Sequence, residues 1–196
     1  MCGIVGYIGE RQAAPVILDG LSRLEYRGYD SAGMAVFDGT SVNVTKAVGR
    51  LKVLEELTHG GETMPGTMGI GHTRWATHGV PNDVNSHPHF NKDHTVVHNG
   101  IIENYISLRN KLIKKGYTFV SETDTEVVAQ MLDFYYNGNP MDTILKVLHR
   151  IEGSYALGIL FADHPGEIFA ARKGSPLIVG QSKDGCFLAS DVPAIL

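Results

Sequence analysis

The chain has only two cysteines in 196 residues, Cys2 and Cys186. Two are too few for a disulfide framework, and the first residues lack the basic stretch and apolar core of a secretory signal. A reducing, cytoplasmic setting is expected. No apolar run approaches the roughly 18 residues needed to cross a bilayer, so a membrane role has no support. Neither sign of charge dominates: 17 Lys and Arg stand against 21 Asp and Glu, a formal net charge of -4, which offers no basic surface to a nucleic-acid backbone. The His-Glu-x-x-His, paired Cys-x-x-Cys, Gly-x-Gly-x-x-Gly and Gly-Lys-Ser/Thr patterns are all missing, and with them the signatures of a zinc site, a dinucleotide site and a phosphate loop. His72, His78, His87, His89, His94 and His98 crowd one region, but spread along a polar loop they suit hydrogen bonding better than metal ligation. No cofactor and no metal are expected. Linkers, repeats and low-complexity stretches are absent too, and the length suits one domain with an ordinary core.

What is present begins at the second residue. Cys2 follows the initiator Met1, and a small second residue normally permits removal of the methionine. The mature chain would then start with a thiol and a free α-amine on one residue. With ordinary pKa values of about 8.5 for the thiol and about 7.7 to 8.0 for the amine, part of the amine is neutral at pH 7 and can take the thiol proton. Nucleophile and base thus come together without a separate histidine.

Around Cys2 the pattern is mixed. Gly3 to Ile8 reads as a strand with Ile4, Gly6 and Ile8 on one face and Val5 and Tyr7 on the other. Ala14, Ile17, Leu18, Leu21 and Leu24 recur at helical spacing, with Gly28 as a stop signal. Met34 to Phe37 and Val42 to Ala47 flank the turn signal Asp38-Gly39, and Leu51, Leu54 and Leu57 mark a short helix. Thr67 to His72 and Thr95 to His98 read as buried strands, separated by a long polar loop from Arg74 to Asp93 of the kind that is usually functional or disordered. Helices are expected over Tyr105 to Lys115, Thr125 to Tyr136 and Met141 to Ile151. From Ser154 strands alternate with turns at His164-Pro165-Gly166 and Asp184-Gly185, and from Asp191 to Leu196 an apolar pattern starts a new helix. Strand-rich ends around a helical middle predict an α+β layered domain with antiparallel sheets.

Three further stretches carry chemistry. His98-Asn99-Gly100 ends a β-branched strand, where a strand-to-turn junction could aim one side-chain amide and one backbone N–H at a common point, the outline of an oxyanion hole. Standing alone, Asn-Gly is an ordinary tight turn. His72-Thr73-Arg74-Trp75-Ala76-Thr77-His78-Gly79 opens the long loop with a planar cation suited to a carboxylate and with the single Trp, which could close over a ligand. Without context, Arg74 would be a surface ion pair and Trp75 a core anchor. Thr123-Asp124-Thr125-Glu126 precedes a helix, so Thr123 or Asp124 is a candidate N-cap and Glu126 the reciprocal partner of Thr123. Asp124 could also meet the ammonium of an amino acid.

Taken in order, Met1-Cys2-Gly3-Ile4-Val5-Gly6-Tyr7-Ile8-Gly9, Leu24-Glu25-Tyr26-Arg27-Gly28-Tyr29-Asp30-Ser31-Ala32-Gly33, the Arg74 stretch, His98-Asn99-Gly100 and Thr123-Asp124-Thr125-Glu126 resemble the glutaminase domains of the N-terminal-nucleophile amidotransferases, over essentially the whole chain. The resemblance implies a four-layer αββα sandwich of antiparallel sheets that hydrolyses L-glutamine, with Cys2 as nucleophile and Asn99 and Gly100 as the oxyanion hole. It assigns Arg74 and Asp124 to the substrate's carboxylate and ammonium, Trp75, Thr77 and His78 to a glutamine loop, and Arg27 to the neighbourhood of the nucleophile. It further implies that residues 1–196 are one glutaminase domain, cut short at its C-terminal end. Sugar-isomerase domains missing from this chain would bind fructose 6-phosphate and receive the ammonia, in a full-length protein that is a homo-oligomer. Two other readings stay open: an amidase of the same fold acting on acylated small molecules, and a noncatalytic glutamine-sensing or assembly module.

Overall fold

The computed structural model describes residues 2–76 and 78–196. The period-two stretch after Cys2 is β1 (Gly3–Gly9). Helix α1 (Ala13–Ser22) buries Ala14, Ile17, Leu18 and Leu21, but it stops sooner than the apolar spacing predicts. Leu24 is buried beyond its end, and one 3-10 turn, Glu25–Arg27, carries the chain to Gly28. The hairpin of β2 (Ser31–Phe37) and β3 (Val42–Val48) turns at Asp38, whose Oδ1 accepts the N–H groups of Thr40 and Ser41 at 2.8 Å each. That double acceptance closes a longer loop than a two-residue turn. Helix α2 (Leu51–Leu57) and strand β4 (Met68–Arg74) follow.

The second half runs β5 (His89–Asn91), β6 (His94–Ile102), α3 (Tyr105–Ile113), α4 (Thr125–Tyr135), α5 (Pro140–Leu148), β7 (Gly153–Phe161), β8 (Phe169–Lys173), β9 (Ile178–Ser182) and β10 (Gly185–Ala189). The tail forms a 3-10 turn, Val192–Ile195, where a helix was expected. The strands pair antiparallel into two sheets, β3-β2-β4-β1-β10-β9 and β5-β6-β7-β8.

Strand alternation sorts the core into three layers of side chains. Ile4, Ile70, Val97, Ala156, Leu160 and Leu188 meet between the sheets. Val5, Tyr7, Met34 and Val36 face α1 and α2 on one outer side, while Val96, Leu157, Ile159 and Phe161 face α3, α4 and α5 on the other. The architecture is therefore the α+β, four-layer αββα sandwich that the sequence resemblance implies. Among the described residues no helix is long and apolar enough to cross a membrane.

One local expectation is corrected. Strand β6 does not end at His98 but runs on to Ile102, with Asn99 opposite Ala156 and Gly100 opposite Tyr155 in β7. The Asn-Gly pair thus lies within a ladder and not at a turn. Gly100 takes φ +124°, and a Cβ there would stand 2.1 Å from Ser154 O, so only glycine lets the ladder pass this point.

Candidate active site

Register brings the N-terminus to the end of β4. Gly3 pairs with Thr73 and Ser31 with Arg74, so Cys2 meets the Arg74–Trp75 peptide. Its Sγ accepts the Trp75 N–H at 3.2 Å and lies 3.5 Å from Trp75 O. The Cys2 carbonyl is held from two sides, by Arg27 Nε at 3.2 Å and Asn99 Nδ2 at 3.0 Å. Burial pushes the Cys2 thiol up, while the Trp75 N–H and the nearby Arg74 charge pull the other way. The net rise leaves a thiol that waits for a base.

Arg27 is itself buried and paired with Asp191 at 2.9 Å. Gly28 beside it is required by close approach: a Cβ would lie 2.7 Å from both C and O of Arg74 and 3.0 Å from Trp75 N. The placing of the sulfur's N–H donor therefore depends on a missing side chain.

Arg74 is 2 % exposed and, among the described residues, has no carboxylate within ion-pairing distance. One guanidinium nitrogen, Nη2, is held by the carbonyls of His78 and Gly79, and Nη1 has no hydrogen-bond partner among the described residues. An unpaired buried cation is costly. Asp124 is buried on α4's threshold, accepts the Ile102 N–H at 2.8 Å and stands 4.0 Å from His98 Nδ1. Its carboxylate does not cap the helix. Thr123 Oγ1 does so by accepting the Glu126 N–H at 3.3 Å, and Glu126 turns back to the N–H groups of Val120 and Ser121 instead of to Thr123.

Cys2, Arg74, Trp75, His78, Gly100 and Asp124 line one cleft, together with His87, His98, Thr123 and Thr125. Its volume is about 20 Å³, room for about one water molecule and far less than an amino acid needs. Binding must therefore move the loop whose carbonyls occupy Arg74. Trp75, expected as a lid, is 48 % exposed and meets Tyr29 edge-on at 5.4 Å; His78 meets Tyr105 edge-on at 5.2 Å. Thr77 lies outside the described residues. Larger hollows occur elsewhere, as between α3 and α4, where about 560 Å³ is lined by Leu108, Lys111 and Phe134 without a cysteine.

Sequence reasoning passed over two anchors. The Asp30 carboxylate accepts the Ala76 N–H and so ties the start of the loop to β2, and Asp191 holds Arg27. Asp30 was legible as part of the Tyr26 to Gly33 stretch, whereas nothing local marks Asp191. Among the described residues no three His, Cys, Asp or Glu side chains converge as a metal site would require.

The family of glutamine amidotransferase domains matches residues 72–196. This chain belongs to that family. Over its whole length the amidotransferase domain is 61 % identical to glutamine–fructose-6-phosphate aminotransferase (isomerizing) of Caldanaerobacter subterraneus subsp. tengcongensis, of which it spans 32 %, and 52 % identical to the enzyme of that name from Pyrococcus horikoshii, of which it spans 33 %. It thus covers about a third of these curated relatives. Among solved structures, the glutamine phosphoribosylpyrophosphate amidotransferase of B. subtilis superposes with a TM-score of 0.87 at 27 % identity, over 98 % of this chain and 42 % of that one. A glutamine aminotransferase class-II domain protein of Silicibacter pomeroyi shares the fold at a TM-score of 0.68 and 14 % identity, over 96 % of this chain and 88 % of that one. The amidotransferase domain therefore has the N-terminal-nucleophile hydrolase architecture.

Proposed function

We propose that this amidotransferase domain hydrolyses the side-chain amide of L-glutamine with Cys2 as nucleophile, once Met1 has been removed. The carrying observation is that buried Arg74, which has no carboxylate partner among the described residues, lines one small cleft with Asp124 and Cys2. A cation and an anion so placed suit the carboxylate and ammonium of a free amino acid, which argues against an amidase for acylated small molecules. The Cys2 amine takes the thiol proton and the sulfur attacks the amide carbon. Asn99 Nδ2 and the Gly100 N–H receive the charge that develops on oxygen. Collapse breaks the carbon–nitrogen bond, the amine returns its proton to the leaving nitrogen, and ammonia departs. Water, deprotonated by the same amine, then cleaves the thioester to glutamate. Arg27 holds the Cys2 carbonyl, and the segment of Trp75, Thr77 and His78 closes over the substrate.

The names of the relatives, and the third of their length that this chain spans, support a wider reading in which residues 1–196 form the glutaminase part of a longer protein that passes the ammonia to fructose 6-phosphate; the sequence resemblance adds the sugar-isomerase domains and the homo-oligomer. The glutamine-like electrophile 6-diazo-5-oxonorleucine tests the first step. It should label Cys2 once and be blocked by glutamate, while the exposed Cys186 stays free and serves as an internal control. Label on Cys186 alone, found by peptide mapping, would remove Cys2 from its role.

A second expectation concerns Gly28. Gly28→Ala should push the Arg74–Trp75 peptide away from the sulfur and lower kcat by about tenfold or more, since small misplacements at a reacting centre have large kinetic effects. Steady-state kinetics alongside thermal melting would check it; full activity would show that the Trp75 N–H does not matter.

A further inference from the structure

We infer that His72 is a positioning residue that fixes which end of the Asn99 amide faces the nucleophile; this rests on the oxyanion role proposed for Asn99. His72 lies in β4, fully buried, opposite Ile4 of β1. Its Nε2 stands 2.9 Å from His98 O and 3.0 Å from Asn99 Oδ1. A backbone carbonyl can only accept, so Nε2 must carry the hydrogen. Only the oxygen end of the Asn99 amide can then face it, and the nitrogen end is turned to the opposite side. There one hydrogen of Nδ2 meets Cys2 O at 3.0 Å, and the other remains for an oxyanion at Cys2.

The rest of the ring agrees with this tautomer. Nδ1 is buried and has no hydrogen-bond partner among the described residues, as befits a bare nitrogen, and the ring stacks on His87 at 4.1 Å. His87 is in turn held by Thr125 Oγ1 at 2.9 Å, the same hydroxyl that stands 2.9 Å from His98 Nδ1. The stack packs one face of the fully buried ring, and burial keeps it neutral, with a pKa lowered to about 3. The N–H aimed at Asn99 is thus a permanent fixture at working pH.

A double-mutant cycle on the full chain tests this through glutamine hydrolysis, with glutamate inhibition as a measure of ground-state binding. Asn99→Ala alone should lower kcat by about 10² to 10³. His72→Leu should lower kcat by about 10- to 100-fold. KM and the glutamate inhibition constant should stay within about twofold, and the same substitution should add less than about threefold in the Asn99→Ala background. His72→Gln, which keeps an N–H donor, should recover most of the rate. A His72→Leu loss undiminished beside Asn99→Ala, or one carried by KM, would overturn the positioning role while leaving Asn99 in place. No loss from Asn99→Ala would instead remove the oxyanion assignment and this inference with it. Should His72→Leu fail to fold, long-range ¹H–¹⁵N spectra of the unmodified chain decide independently: the inference requires a protonated Nε2 and a bare Nδ1, and a proton on Nδ1 would overturn it.

Discussion

Between pH 7.5 and pH 5 the unfolding free energy of this domain should fall, by about 2 kcal/mol through His72 alone. His72, His87 and His89 are fully buried, and burial lowers their pKa from the ordinary 6.5 to about 3 for His72 and well below 6.5 for the other two. The folded chain therefore refuses protons that the unfolded chain binds. Their contribution is fully present above 6.5 and drains away as pH falls from 6.5 toward the folded values. His72 loses about 1.4 kcal/mol per pH unit, or about 2 kcal/mol at pH 5, and His87 and His89 add in the same direction, against a total of about 5 to 15 kcal/mol for a typical domain. Burial also lowers His98, which adds in the same direction. The lowered carboxylates Asp38, Asp142 and Asp191 start from 3.8, so their losses fall in a more acid window and do not blur this one. Urea unfolding at several pH values across the range would show the slope; a flat profile would mean that the histidines take up protons inside the fold.

Acylating the Cys2 nitrogen should abolish hydrolysis, by about 10² to 10⁴-fold or more, without unfolding the domain. The sulfur's hydrogen-bond partners among the described residues are both backbone atoms of Trp75. No described imidazole or carboxylate touches it, which leaves the α-amine as the available base. An uncleavable N-terminal extension ties that nitrogen into an amide, which has no basicity, while β1 can still pair on both sides. Comparing one preparation before and after proteolytic exposure of Cys2 isolates the amine, and equal rates in the two would exclude it as the base.

Much of this arrangement was legible because local chemistry and tertiary context agree. The alternation after Cys2, the helix after Thr123-Asp124 and the Asp38 turn carry their own reasons in neighbouring residues. Where they part, a distant partner decides. Strand β6 continues through Asn99-Gly100 because β7, some fifty residues on, supplies a ladder that no local pattern announces. Helix α1 stops at Ser22 although Leu24 keeps the apolar spacing, since Leu24 is buried equally well from a turn. Asp191 reaches Arg27 only through the fold. Arg74 and Trp75 read in isolation as a surface ion pair and a core anchor; the structure buries the first without an acid and leaves the second half in solvent.

The position of β1 has a temporal meaning. It is an inner strand, with β4 on one side and β10 on the other, and Val5 pairs with Ala189. During synthesis β1 must wait for a strand about 180 residues further along before its second edge is covered, and contacts so distant in sequence form late. The removal of Met1 that the proposed mechanism requires would consequently fall in an interval before this strand is enclosed. On the proposed mechanism the nucleophile would be finished chemically before it is installed sterically, so that a nascent chain would carry an accessible cysteine but no assembled cleft to use it.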